Sequence, residues 1–102
     1  MEYSTLDKLG VRVSRLGFGC MRFPLTAEGK IDEPRAAAML DTAYKAGVTY
    51  YDTAYFYHQH TGEAFLGRAM KRYPRDTFYL ATKMPMSIVE SLDHAKEIFE
   101  GQ

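Results

Sequence analysis

Three apolar, β-prone runs separated by segments of helical period constrain the fold of this chain more than any other feature. The runs are Leu16-Gly17-Phe18-Gly19-Cys20-Met21, Val48-Thr49-Tyr50-Tyr51 and Thr77-Phe78-Tyr79-Leu80-Ala81-Thr82. After the first, Ala36, Met39, Leu40 and Ala43 recur at i, i+3, i+4 and i+7 and so share one helix face. Asp32 or Glu33 caps that helix, Pro34 suits its first turn and Gly47 its end. After the second, Thr61 caps a helix carrying Phe65, Leu66, Ala69 and Met70, with Lys71 and Arg72 in its last turn and Pro74 closing it. After the third, Leu92, Ala95 and Phe99 lie at i, i+3 and i+7 of a further helix. Its start is set by Ser87 with Glu90, at capping-box spacing, or by Ser91, which is preferred. Ahead of all these, residues 3–13 read as a β-hairpin, with Tyr3–Leu6 and Val11–Val13 flanking a turn at Gly10.

Alternating units of this size imply an α/β domain with a parallel sheet and right-handed crossovers, in which the hairpin precedes βα units spanning residues 16–102. Three buried strands leave both outer edges unpaired. A closed (β/α)8 barrel takes about 250 residues. The 102 residues are therefore expected to form a single partial domain, the opening part of something larger.

Composition narrows the partners. Hydrophobic residues at 46% and charged residues at 25% exclude a disordered tail or a low-complexity linker. Lys+Arg 13 balance Asp+Glu 13, which argues against nucleic acid or an anionic membrane surface as the main partner. The one cysteine, Cys20, can form neither an internal disulfide nor a cysteine-cluster metal site, so a reducing, cytoplasmic setting is expected. No apolar stretch is long enough to span a bilayer, and the start MEYSTLDKLG lacks the apolar core of a signal peptide.

In parallel α/β proteins reactive groups gather where strands end and βα loops begin. Gly17-Phe18-Gly19 suggests a dinucleotide fingerprint, but Arg22 stands where its third glycine belongs and no helix opens there. The Rossmann reading fails. Asp52 and Lys83 close successive apolar strands, and neighbouring strands lie about 4.8 Å apart, so the two side chains can meet. A structural ion pair accounts for them equally well. Tyr57, five residues past Asp52, supports a sharper reading. A phenol has a pKa of about 10, and bringing it near 7 takes roughly 4 kcal/mol. A cation about 4 Å away, at an effective dielectric constant near 20, supplies that order of energy. Lys83, steadied by Asp52, would then make Tyr57 a general acid able to protonate a developing alkoxide.

With these residues in place, the chain resembles the N-terminal part of an aldo-keto reductase. Tyr51-Asp52-Thr53-Ala54 followed by Tyr57 is similar to the family's D-T-A-x-x-Y motif, and Ala81-Thr82-Lys83 to its strand-three lysine motif. The stretch Val13 to Arg22 resembles the family's opening hairpin and first strand, and Phe65-Leu66-Gly67-Arg68-Ala69 its second helix. The resemblance implies a (β/α)8 TIM barrel plugged by the hairpin, and NADPH-dependent reduction of an aldehyde or ketone, or the reverse oxidation. It assigns Tyr57, Lys83 and Asp52 as catalytic, and Gly19, Met21, Arg22 and Asp52 as facing the cofactor. The family's catalytic histidine and most of its cofactor loops fall past Gln102, so these residues alone are expected to be inactive. Gly19 to Pro24 and the pair Tyr57-His58 are similar to bacterial members with a C-terminal ferredoxin-like extension, where an iron–sulfur cluster would lie.

His58, next to the proposed acid, is a candidate for the substrate pocket, although a solvated loop residue is the commoner case. His58, His60 and Glu63 lack the helical i, i+4 spacing of a metal motif, so no metal site is expected. Cys20 reads as a small buried filler at a strand end. A small-molecule carbonyl is the expected partner. The competing reading is a non-catalytic truncated α/β module that self-associates, or pairs with a partner, through its open sheet edges.

Overall fold

In the computed structural model, which describes residues 1–102, β1 (Tyr3–Leu6) and β2 (Val11–Ser14) form an antiparallel hairpin with Tyr3 opposite Ser14. Gly10 turns the chain at a φ of +64°, a left-handed conformation that glycine adopts without steric cost. Side-chain bonds dock the hairpin. Ser14 N donates to Thr49 Oγ1 and Thr49 N donates to Ser14 Oγ, both at 2.9 Å. The Tyr3 hydroxyl donates to the Gly47 carbonyl at 3.2 Å. These bonds hold the hairpin where the second parallel strand begins, away from its carboxyl end.

The parallel sheet contains β3 (Phe18–Gly19), β4 (Tyr50–Asp52) and β5 (Tyr79–Ala81) in the order β3-β4-β5. Its register places Gly19 beside Asp52 and Asp52 beside Ala81, so the carboxyl ends are level. Each strand is shorter than the apolar run that announced it, because ladder pairing needs a partner at the same level. Thr77, for example, belongs to a 3-10 turn at Arg75–Thr77. Pairing continues past the strand ends through Cys20 N to Asp52 O and Thr53 N to Ala81 O, both at 2.8 Å.

Helix α1 (Glu33–Lys45) starts at Asp32, whose Oδ1 accepts from Arg35 N at 3.3 Å, and Pro34 lies in its first turn. Helix α2 is Gly62–Met70, so Lys71 and Arg72 fall just past its last residue. Thr61 occupies its N-cap position without capping, because Oγ1 donates instead to the His58 carbonyl at 2.6 Å. Helix α3 (Leu92–Gly101) is capped by Ser91, which accepts from His94 N at 3.0 Å. Ser87 instead lies in a short 3-10 turn, Met86–Ile88.

One face of the sheet carries the core. Tyr51, Leu40, Phe65, Leu66, Met70 and Phe78 pack where α1 and α2 cover the strands. Fully burying a side chain such as Leu40 contributes about 1.5–3 kcal/mol. Successive strand residues point to opposite faces, and in β4 they meet opposite surroundings, Tyr51 0% and Tyr50 38% exposed, whereas on the edge strand β5 Tyr79 and Leu80 are both 38% exposed. Parallel sheets are ordinarily covered on both faces; this one is covered on one. Helix α3 buries no residue, with Leu92 72% and Phe99 66% exposed. No helix is long and apolar enough to cross a membrane.

Candidate active site at the carboxyl end of the sheet

Asp52 is the last residue of β4, and Lys83 follows β5 by two residues. Lys83 Nζ donates to Asp52 Oδ2 at 2.7 Å and to the Thr53 carbonyl at 2.8 Å. The ion pair is only partly sheltered, with the Lys83 side chain 50% and the Asp52 side chain 39% exposed. Thr53 is itself buried, and its Oγ1 has no hydrogen-bond partner.

Tyr57 enters from the loop after β4. Its amide donates to the Ala54 carbonyl at 3.2 Å, and its carbonyl accepts from Gly62 N at 3.2 Å. Lys83 Nζ lies 4.9 Å from the centroid of the Tyr57 ring. Burial works against the Lys83 ammonium, but its hydrogen bond to Asp52 and its interaction with Tyr57 outweigh it. The Lys83 pKa therefore rises above its ordinary 10.5. The hydrogen bonds of Lys83 Nζ go to Asp52 and Thr53, and its contact with Tyr57 is over the ring.

The chain turns unusually after Tyr57. His58, Gln59 and His60 have φ of 53°, 54° and 68°, three consecutive non-glycine residues in the left-handed region. Each such residue costs about 1–2 kcal/mol. Thr61 closes the turn on the His58 carbonyl through both its amide, at 3.0 Å, and its hydroxyl. Gly62 seats it, since a Cβ there would stand 3.0 Å from the Tyr57 carbonyl oxygen. The His58 ring swings back to the loop after β3, where Nε2 accepts from Phe23 N at 3.2 Å and the rings of His58 and Phe23 stack with centroids 5.5 Å apart. His58 also borders a cleft of about 430 Å³ that Asp52, Tyr57 and Lys83 do not line. His60 packs instead on Tyr55 and Phe56.

Gly19 pairs with Asp52 in register, and a Cβ built on it meets no atom within 4 Å. Met21 and Arg22 follow on the rim, both exposed. Cys20, between them and Gly19, is 0% exposed, and burial, with Asp52 adding to it, pushes its thiol up to about 12.

Sequence reasoning missed a second cluster that holds the Lys83 backbone. The Glu63 carboxylate accepts from Thr82 Oγ1 at 2.7 Å and from Gln102 Nε2 at 2.9 Å, and Gln102 also donates to the Lys83 carbonyl at 3.0 Å. These residues lie on α2, past β5 and past α3, so no local spacing could have announced them.

Parallel βα units behind a hairpin, with Asp52, Lys83 and Tyr57 gathered at the carboxyl end of the sheet, match the N-terminal portion of a (β/α)8 barrel. Residues 15–100 match the Aldo/keto reductase family, and the chain belongs to that family. It is 35% identical over 78 residues to "Probable aldo-keto reductase 1" of Glycine max, a match covering 76% of this chain and 22% of that protein. It superposes on the holo form of aldo-keto reductase AKR11C1 from Bacillus halodurans with a TM-score of 0.66 and 36% identity, over 80% of this chain and 25% of that one. The thermostable aldo-keto reductase Tm1743, solved with the inhibitor epalrestat, shares the fold at a TM-score of 0.66 and 24% identity, over 98% of this chain and 39% of its own. The chain thus spans about a quarter of the length of the curated relatives it matches.

Proposed function

We propose that these residues form the proton-donating half of a carbonyl-reductase site, which reduces an aldehyde or ketone to an alcohol with NADPH. The observation that carries this reading is the cluster in which Lys83 Nζ is held at 2.7 Å by Asp52 and faces the Tyr57 ring. Tyr57 gives its hydroxyl proton to the substrate oxygen as negative charge develops there. The Lys83 ammonium stabilises the phenolate that remains, and Asp52 fixes the ammonium. Because the Lys83 pKa is raised, that cation persists across the neutral range.

The rim fits a nicotinamide cofactor. The space over Gly19 is open beside Asp52, where a side chain would intrude, and Met21 and Arg22 continue along the same edge. Gly19, Met21, Arg22 and Asp52 would hold the cofactor there. When bound, NADPH supplies the hydride; the residues present supply the proton and the charge that steadies it. A cytoplasmic enzyme acting on a small carbonyl compound is the corresponding setting.

Tyr57→Phe in the full-length protein tests this reading through carbonyl-dependent oxidation of NADPH. Loss of a general acid lowers turnover by about 10²–10⁴-fold, while cofactor binding stays within twofold of the parent (about 0.4 kcal/mol). Turnover that survives the substitution intact would remove Tyr57 from the role.

A further inference from the structure

We propose that His58 is a positioning residue, which ties the loop bearing Tyr57 to the loop bearing Met21 and Arg22. The proposal rests on the reading of Tyr57 as proton donor and adds a residue that acts through it. Two elements that must keep a fixed spacing, proton donor and cofactor-facing rim, leave different strands and share no ladder bond beyond Cys20 to Asp52. His58 bridges them. Its Nε2 accepts the Phe23 amide proton at 3.2 Å, and its ring lies against the ring of Phe23, which is itself packed edge-on to Phe65 of α2.

The bridge exists because of the left-handed turn. A right-handed continuation after Tyr57 would carry the residue 58 side chain elsewhere, so the strain of three left-handed residues accompanies this one contact between loops. Hydrogen bonds within the turn, from Thr61 and Gly62, hold Tyr57 and His58 as one unit. Whatever fixes His58 therefore fixes the backbone of Tyr57.

An imidazole nitrogen that accepts carries no proton, so the bridging form of His58 is the neutral ring with its hydrogen on Nδ1. The cleft that His58 borders is also lined by Lys30 from the loop before α1, Glu33 of α1, Arg68 of α2 and His60 of its own turn. Arg68 and Glu33 are paired with each other at 2.9 Å.

The test combines two variants and two readouts in the full-length protein. His58→Gln keeps an acceptor at the same distance from the backbone, whereas His58→Phe keeps the stacking and removes the acceptor. Nitrogen shifts of 15N-labelled His58 are expected to report the Nδ1–H form. The Phe23 amide, observed selectively through its preceding Arg22 carbonyl, is expected to exchange slowly in the parent. In His58→Phe that amide exchanges about tenfold faster, the scale of one lost hydrogen bond, and kcat falls by a similar factor with KM little changed. His58→Gln recovers most of both losses. The Nε2–H form, or a Phe23 amide indifferent to His58→Phe, overturns the tie. A weakened Phe23 amide with unchanged kcat overturns the positioning role. If the parent itself reduces no carbonyl compound, the proposed function fails instead, and the tautomer and exchange measurements still decide the tie.

Discussion

At the scale of single residues, burial and charge decide what each side chain can do. Cys20 and Lys83 stand near the same strand ends, yet one is buried and the other half exposed. With its thiol pushed up to about 12, Cys20 is almost wholly protonated at neutral pH and has no nucleophilic form to offer. A thiol reagent is expected to leave the folded protein unmodified at pH 8 and to label Cys20 fully once denaturant is added; rapid labelling before unfolding would contradict the burial. Lys83 gives a pH dependence of determinate sign. A lysine whose folded pKa is raised contributes stability that is fully present below the unfolded value of 10.5 and is lost as pH rises through the folded value. Lys83→Met is therefore expected to flatten the fall of Tm above about pH 10.5. The effect is small because the pair is half solvated. The Asp52–Lys83 contact was legible in sequence because both residues close neighbouring strands. The destination of His58 was not, because no glycine or asparagine at 58–60 signals a left-handed turn.

At the scale of elements, end signals were more legible than strand limits. Asp32 and Ser91 cap as their side-chain chemistry predicts. Thr61 departs from that expectation because the left-handed turn presents the His58 carbonyl to its hydroxyl at 2.6 Å. At the end of α1, Gly47 takes a φ of +94° and lies so close to the hairpin that a Cβ would stand 2.7 Å from the Tyr3 hydroxyl. Gly47→Ala should accordingly destabilise the protein by about 1–3 kcal/mol, read as a lower denaturation midpoint with an unchanged m-value. An unaltered midpoint would mean that the hairpin yields freely. The parallel strands shrank to two or three residues apiece, and single bonds from Cys20 N and Thr53 N carry the pairing one residue past their ends.

At the scale of the whole molecule, the shape is a slab of 42 × 40 × 20 Å with a radius of gyration of 14.9 Å. A compact chain of this length measures about 13 Å. The excess follows from a sheet with one bare face and from α3 lying with its apolar side in solvent. Unsatisfied edges and faces of this kind favour association. The 102-residue polypeptide, purified alone, is expected to scatter light as dimers or larger species. A clean monomer that unfolds cooperatively would show that the bare face is tolerated in water.

Periodicity, caps and turn residues determined which segments became helices and strands, because those preferences are paid within a few residues of chain. They also fixed the parallel order and hence which end of the sheet carries Asp52 and Lys83. Tertiary structure alone decided how Tyr57 is presented. Its left-handed turn is unfavourable locally and is met by contacts from Gly62, Thr61 and the distant Phe23 amide. The Glu63–Thr82–Gln102 cluster behind Lys83 depends likewise on side chains up to 39 positions apart, whose meeting no local preference encodes.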